Sequence, residues 1–555
     1  MRITNKLAAA LMLLVGHQYS LQAQEITTTD LLNLLVSEKV ISEEKAVELI
    51  EKIQQRQQRA QQAKPEEQGV AGTGGVNKGS GKVVHVPYVP AYVKDEIRRD
   101  VEQGLRTQVT EDVVSHAKTE RWGTPDALPE WVNKVSIEGD ARIRYEGTFH
   151  DENNPDLVYF DLGASNDSGG RINAGRDAFL NTTEDRNRLR GRFRVKVKAK
   201  VTDGVEVGLR LATGNFTNPV STNKSFGNYG ENWESSFDQA YLRYTSREKS
   251  LMLEGGRFKN PFLYTQLVWD SDLNFDGLAG TWSFLRNDGL GSEEQQWDPF
   301  ITLGAFPLGE INQAVFPGED DSANDDKWLY AAQVGTHYDW FNQSRISFGL
   351  AYYYYDNITG IQNDLNSDLY DVTAPASFQY GNWVYDIRND TDPDSEFFAL
   401  ASEYELINAT IKYDYAGFAP HHLWVTADFV QNLAFDAAEL NRIAPPSDPS
   451  LSVPDRDIGY QFGVAVGWPT LSKRGNWKVA LDYRHLEGDA VVDAFADSDF
   501  LLGGTNAKGY ILRGDYALKD DTWLTMRLLS ADEIDAATQV NVAVDTVQVD
   551  VNAKF

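Results

Sequence analysis

The chain has 555 residues, 12% of them aromatic, with 44 glycines, no cysteine and a formal net charge of −30. The lack of cysteine excludes disulfide scaffolds and thiolate chemistry, and the acidic balance argues against nucleic acid as a partner. Beyond the N-terminus no apolar run is long enough for a membrane-spanning helix. A membrane barrel stays open, because its water-facing and lipid-facing residues cancel in the mean.

Residues 1–23 carry Arg2 and Lys6, then the apolar run 7–15, then the ending LQA. That is the pattern of a secretory signal peptide cleaved after Ala23. Over 27–62 apolar residues such as Leu31, Leu34, Leu35, Val47 and Ile50 fall at helical spacing, with Ser42 as a cap, and two short amphipathic helices are expected. Residues 69–81 are glycine-rich and read as a linker. Val93, Ile97, Val101, Leu105 and Val109 mark one face of a further helix. Residues 24–130 are therefore expected to form a periplasmic α-helical extension, able to associate between subunits, ahead of a β domain over 131–555.

From Lys134 the period becomes 2. Val135, Ile137, Gly139, Ala141, Ile143 and Tyr145 alternate with Ser136, Glu138, Asp140, Arg142, Arg144 and Glu146 in a first strand. The strongest pattern follows at 186–200, RNRLRGRFRVKVKAK, where Arg186, Arg188, Arg190, Arg192, Arg194, Lys196, Lys198 and Lys200 take the even positions. Leu189, Gly191, Phe193, Val195, Val197 and Ala199 take the odd ones. An unbroken cationic row opposite an apolar row requires water on one face and hydrocarbon on the other, and a transmembrane barrel supplies both. Thr202-Asp203-Gly204 then turns tightly into a strand at 205–211.

Further strands are expected at 236–245, 251–259, 278–286, 298–306, 328–339, 345–356, 397–415, 423–433, 457–468, 476–486, 508–518, 522–531 and 541–555. The longest connections (148–185, 357–396, 434–456) fall on one side and the shortest on the other, the rhythm of an outer-membrane barrel. Trp328, Tyr330, Val334, Tyr338 and Trp340 share one face, aromatic at both ends, as two interfacial girdles require, and Tyr460, Phe462, Val464, Val466 and Trp468 repeat the pattern. The fold class is accordingly all-β, a transmembrane antiparallel β-barrel of about 16 strands with an N-terminal periplasmic α-helical extension.

The segments VHVPYVPAYVKDEIRRDVEQ (84–103), LPEWVNKVSIEGDARIRYEG (128–147), GRFKNPF (256–262) and LVWDSDLNFDGLAG (267–280) resemble the putative porin family of Gram-negative outer membranes. The final Phe555, closing an alternating strand, resembles the assembly signal of such barrels. More remotely, a helical extension ahead of a sixteen-stranded barrel resembles the phosphate-selective porins. The resemblance implies a pore in outer-membrane lipid and a homotrimer, and does not name the solute.

The function expected is passive diffusion of small hydrophilic solutes through a water-filled channel, biased towards anions by the basic ladder. Arg142, Arg144, Arg188, Arg190, Arg192, Arg194, Lys196 and Lys198 are the expected pore-lining residues. Asp270, Asp272 and Asp276 lie in the expected connection 260–277, which by resemblance to general porins folds inward and sets acids across the lumen from the arginines. Asp390, Asp392, Asp394 and Glu396 have the alternating spacing of calcium loops, although no glycine permits the sharp turn. An acidic surface loop is the plainer reading, with calcium as its only cofactor candidate. Two competing classes are a structural tether through 24–130 and an outer-membrane enzyme. For the enzyme, His337, His421, His422 and His485 lack a serine partner supported by spacing.

Overall fold

The structure is a computed structural model that describes residues 134–555 apart from 215–216, 285–295, 313–324, 341–342, 393, 445–451 and 537–539. The expected signal peptide, helices and linker lie outside the described residues. Sixteen antiparallel strands close into one barrel. They are β1 (Val135–His150), β2 (Arg186–Thr202), β3 (Val205–Thr213), β4 (Ser235–Thr245), β5 (Leu251–Lys259), β6 (Asn274–Ser283), β7 (Gln296–Gly309), β8 (Lys327–Asp339), β9 (Arg345–Asp356), β10 (Glu405–Phe418), β11 (His421–Asn432), β12 (Ile458–Gly467), β13 (Trp477–Leu486), β14 (Ala507–Lys519), β15 (Thr522–Glu533) and β16 (Ala543–Lys554).

Each strand pairs with its chain neighbours, and β1 also pairs with β16, with Asp140 opposite Lys554. At this seam Gly139 and Phe555 exchange backbone hydrogen bonds of 2.9 and 3.1 Å. A Cβ on Gly139 would lie 2.3 Å from the Phe555 ring, so the glycine leaves the slot into which the terminal phenylalanine fits. Closure gives every strand a partner on both sides, so that backbone groups in hydrocarbon, where an unsatisfied one costs several kcal/mol, are paired except beside the outer end of the β5–β6 hairpin. Alternation carries the apolar row outward: Leu189, Phe193, Val195 and Val197 of β2 are exposed, as are Phe462, Val464 and Val466 of β12.

Two expected strands differ from the observed ones by more than three residues at their start. The expected strand 397–415 divides: Phe398–Leu400 pairs with Val384–Asp386 inside the long connection 357–404, and the wall resumes at Glu405. Ala399, Leu400, Ala401 and Ser402 are buried in succession, without the alternation that a wall strand requires. The expected strand 278–286 begins earlier, at Asn274, because β5 and β6 remain paired up to Lys259 and Asn274.

The interior divides into two kinds of surface. One cluster of buried apolar residues joins inward-facing wall positions (Phe306, Leu329, Tyr353, Leu406, Val430, Leu486) to residues of the connections 260–273, 357–404 and 487–506. Those three connections fold into the barrel. The polar and charged inner face of β16, β1, β2 and β3 lies outside that cluster.

Candidate functional site: the charged wall and the inward loops

The ladder on β2 is met by a row of alternating sign on β1. The register sets Glu138 opposite Lys196, Asp140 opposite Arg194 and Glu146 opposite Arg188, but Arg142 opposite Arg192 and Arg144 opposite Arg190. Like charges directly opposed across a ladder are destabilising, and here carboxylates from elsewhere meet both pairs. Arg144 Nε and Nη2 donate to the two oxygens of Asp550 on β16 at 2.7 and 3.0 Å, and its Nη1 donates to Asp499 at 3.1 Å. Arg190 reaches Glu146 at 3.4 Å. Arg192 and Arg194 each bind Asp140 and both donate to Asp272 Oδ1, at 3.3 and 3.1 Å. Arg142 donates to Asn223 and lies 4.0 Å from Asp550. Arg188 pairs with Glu146, Lys198 pairs with Glu138, and Lys196 donates to Gln239 at 2.8 Å.

Asp272 arrives on the connection 260–273, whose Leu267, Val268, Trp269, Asp270 and Asp272 are buried. It is tied to the wall at two further places and to the connection 487–506 at a third. Gln333 on β8 accepts from Leu263 N at 2.7 Å and donates to Leu263 O at 2.9 Å. Thr265 Oγ1 donates to Asp428 on β11, and Asp270 N donates to Phe495 O at 2.9 Å. Asp270 also accepts from Ser498 N at 3.1 Å, and burial beside Asp497 raises its carboxyl pKa. Asp272 thus touches the arginines directly, which corrects the expectation of acids facing them across a water gap.

Asp276 is not in this connection at all, and its inclusion there is corrected. It sits on β6 opposite Arg257 of β5, with which it forms an ion pair. The hairpin carries pairing four residues past the expected break, through Gly256 and Gly277, which stand opposite each other with φ of +110° and +141°. Glycine occupies this region of φ at little cost. A Cβ on either would come within 2.3 Å of a neighbouring carbonyl, that of Ala240 or Ala305. The same residues are the last partners that the hairpin has in β4 and β7. The hairpin leaves the wall there, and Phe258 and Phe275 beyond it pack on inward-facing Phe306, with ring centroids at 6.2 and 4.7 Å.

The second inward connection, 487–506, was not legible in the sequence. Its Asp499 bridges Arg144 and Arg527, the latter at 2.8 Å, while Asp497 accepts from Arg484 Nη1 at 2.9 Å. Its apolar residues Val491, Val492, Ala494 and Ala496 are buried, and Trp269 meets Phe495 at 6.1 Å between ring centroids. The one available signal was a dense alternation of aspartates with small apolar residues from 489 to 500.

Besides Lys196 of the ladder and buried Lys327, four lumen lysines have no carboxylate partner within ion-pair distance among the described residues: Lys259, Lys412, Lys478 and Lys554. Lys478 Nζ lies 3.7 Å above the Trp424 ring, Lys554 Nζ 5.3 Å from Trp523 and Lys412 Nζ 5.8 Å from Tyr264. Lys259 lies within electrostatic reach of Arg210, Arg194, Asp272 and Lys554. None of the four was singled out from sequence, because nothing local to them marks them apart from other strand lysines.

The calcium candidates do not converge. Asp390 accepts from Asp392 N at 2.9 Å, Asp392 accepts from Asp394 N at 3.0 Å, and Glu396 holds Arg171 in an ion pair. Among the described residues no group of three His, Asp or Glu side chains is arranged to hold a metal ion. His337 Nδ1 lies 2.8 Å from Ser347 Oγ on the next strand, whereas a hydrolase serine bonds the Nε2 of its histidine. His422 Nδ1 lies 2.7 Å from Asp414.

A comparison with curated proteins finds no match by sequence. Among solved structures, the outer membrane channel DcaP of Acinetobacter baumannii is 11% identical with a TM-score of 0.37, over 76% of this chain and 98% of that one. OprB of Pseudomonas putida, in a high-pH structure, is 12% identical with a TM-score of 0.41, over 78% and 97%. OmpF of Salmonella typhi in complex with daunomycin is 10% identical with a TM-score of 0.38, over 77% and 99%. The family described as "Putative porin" matches residues 25–555. The chain belongs to that family, and its closed sixteen-stranded barrel is the fold of an outer-membrane channel.

Proposed function

We propose that the protein is an outer-membrane porin through which small hydrophilic solutes diffuse passively, with anionic solutes favoured. The observation that carries the anion preference is the contrast between two sets of cations in one lumen. The arginines of β1 and β2 are held by Glu146, Asp140 and Asp550 of the wall and by Asp272 and Asp499 of the inward loops, so their charge is largely spent within the wall and in fixing those loops. Lys259, Lys412, Lys478 and Lys554 keep theirs for passing ions. Fixed ammonium groups beside a narrow water path between low-dielectric walls raise the local anion concentration. β1 enters the wall from the side of the short turns, the periplasmic side in barrels of this kind. This supports reading 24–130 as a periplasmic extension.

Reversal potentials of single channels in a salt gradient test the reading. The wild type is expected to prefer chloride over potassium, and Lys→Gln changes at 259, 412, 478 and 554 together are expected to abolish that preference. Arg190, Arg192 and Arg194 changed to Gln would free Glu146, Asp140 and Asp272 and move the potential towards cations. A cation-selective wild type, or a properly inserted barrel that never conducts, would overturn it.

A further inference from the structure

Backbone pairing in the wall stops on both sides of the β5–β6 hairpin at one level. β4 follows β5 only to Ala240 and Arg257, and β7 follows β6 only to Ala305 and Leu278. Beyond it the hairpin tips inward, and the outer ends of β4 and β7 flank a breach. A cavity of about 1210 Å³ occupies this breach. Its lining includes Phe237, which lies on the lipid side of β4 and is 62% exposed, and also Trp269 and Phe495 of the inward loops. One space therefore touches both the hydrocarbon face and the lumen.

Its chemistry is that of an amphiphile. Leu273, Phe275, Phe306 and Leu308 give it an apolar side, while Asp238, Asp272 and Asp276, which also line it, are paired with Arg210, with Arg192 and Arg194, and with Arg257, and Glu310 stands at its rim. Lys327, the first residue of β8 and the partner of Gly309 on β7, also lines it, on the inner side of the wall and only 5% exposed. Its ammonium donates to the carbonyl of Thr373, and among the described residues no carboxylate lies within ion-pair distance of it. A buried ammonium with one neutral acceptor retains unused donors and an uncompensated charge. An anion in the cavity would supply both.

We propose that this cavity is a binding site for a single-chain anionic amphiphile of the fatty-carboxylate class. The head group lies at Lys327 and the alkyl chain runs along Phe275, Phe306 and Leu308 towards the opening between β4 and β7. The site is distinct from the lysines that face the aqueous path.

Calorimetric titration of the full chain, purified in a neutral maltoside detergent, tests this with decanoate, octanoate and decyltrimethylammonium. Decanoate is expected to bind, and octanoate more weakly, by up to about fourfold for each methylene lost. Decyltrimethylammonium, with the same tail and the opposite charge, is expected not to bind. Lys327→Gln should weaken decanoate at least tenfold. Leu308→Gln should weaken it while leaving the charge in place, and Lys519→Gln, on a short turn, should change nothing. Heat-modifiable mobility on gels establishes that each variant is a closed barrel, and Leu308→Gln keeps the test decisive if Lys327→Gln does not fold. Absence of decanoate binding to the wild type, equal binding of the cationic amphiphile, or binding indifferent to both substitutions would overturn the proposal.

Discussion

The inner faces of β16, β1 and β2 and of β7 to β11 belong to one lumen, yet they are built on opposite terms. On the first, cations and carboxylates interlock, and buried Arg144 is satisfied by Asp550 and Asp499. On the second, Phe306, Leu329, Tyr353, Leu406 and Val430 turn inward and are covered by loops that are themselves apolar. The difference shows that a barrel interior is polar only where water reaches it. Where a loop fills the lumen, the wall behind it obeys the rules of a protein core. The loops join the two regimes, since the connection 260–273 offers Leu267 and Trp269 to the core and Asp272 to the arginines.

Four experiments probe how far this division extends. The largest effect is expected at the charged wall. Arg144→Met leaves Asp550 with only Arg142, at 4.0 Å, and Asp499 with only Arg527 and should cost about 3–5 kcal/mol, the range for breaking a buried pair, whereas the partly exposed Arg188→Gln should cost about 0–1 kcal/mol. Urea unfolding in detergent measures both, and equal costs would mean that the wall is solvated throughout. Next, an arginine at Phe193, on the lipid side of the same strand, should destabilise insertion by about 2–4 kcal/mol near the midplane. A barrel that inserts as readily with Phe193→Arg as with Arg192→Gln would reverse the assignment of the two faces.

Gly277→Val addresses the junction between the two regimes. Its side chain would meet the carbonyl of Ala305 at a φ that valine avoids, a strain of about 1–3 kcal/mol. The hairpin should relieve it by swinging out and loosening the loop. Higher single-channel conductance with unchanged gel mobility is expected, and unchanged conductance would show that the loop does not restrict the path.

The smallest effect concerns pH. Burial pushes the carboxyl of Asp493, in the connection 487–506, up to about 8. A pKa higher in the folded than in the unfolded chain means that docking of this loop is fully supported below about pH 4. That support is lost as pH rises through about 8. Proteolytic nicking of the loop should therefore increase between about pH 5 and about pH 8 in the wild type, level off above that, and lack this rise in Asp493→Asn. The same rise in both proteins would assign the transition to another group.

Period 2 is a local property of the backbone, so the run 186–200, the girdle tyrosines and tryptophans and the even strand number could be read directly from residue order. The faces followed as well, because each strand states which row meets hydrocarbon. Whether a lumen charge is free or paired depends on residues hundreds of positions away. The sequence showed Arg144 and Arg190 as two members of a basic wall. Only closure of β16 on β1, and a loop from between β13 and β14, brought Asp550 and Asp499 to Arg144, and Arg190 found its carboxylate in Glu146. The bend at Gly256 and Gly277 was hidden for a related reason. Either glycine alone is an ordinary strand glycine, and only the pairing that sets them face to face makes them the place where the hairpin leaves the wall.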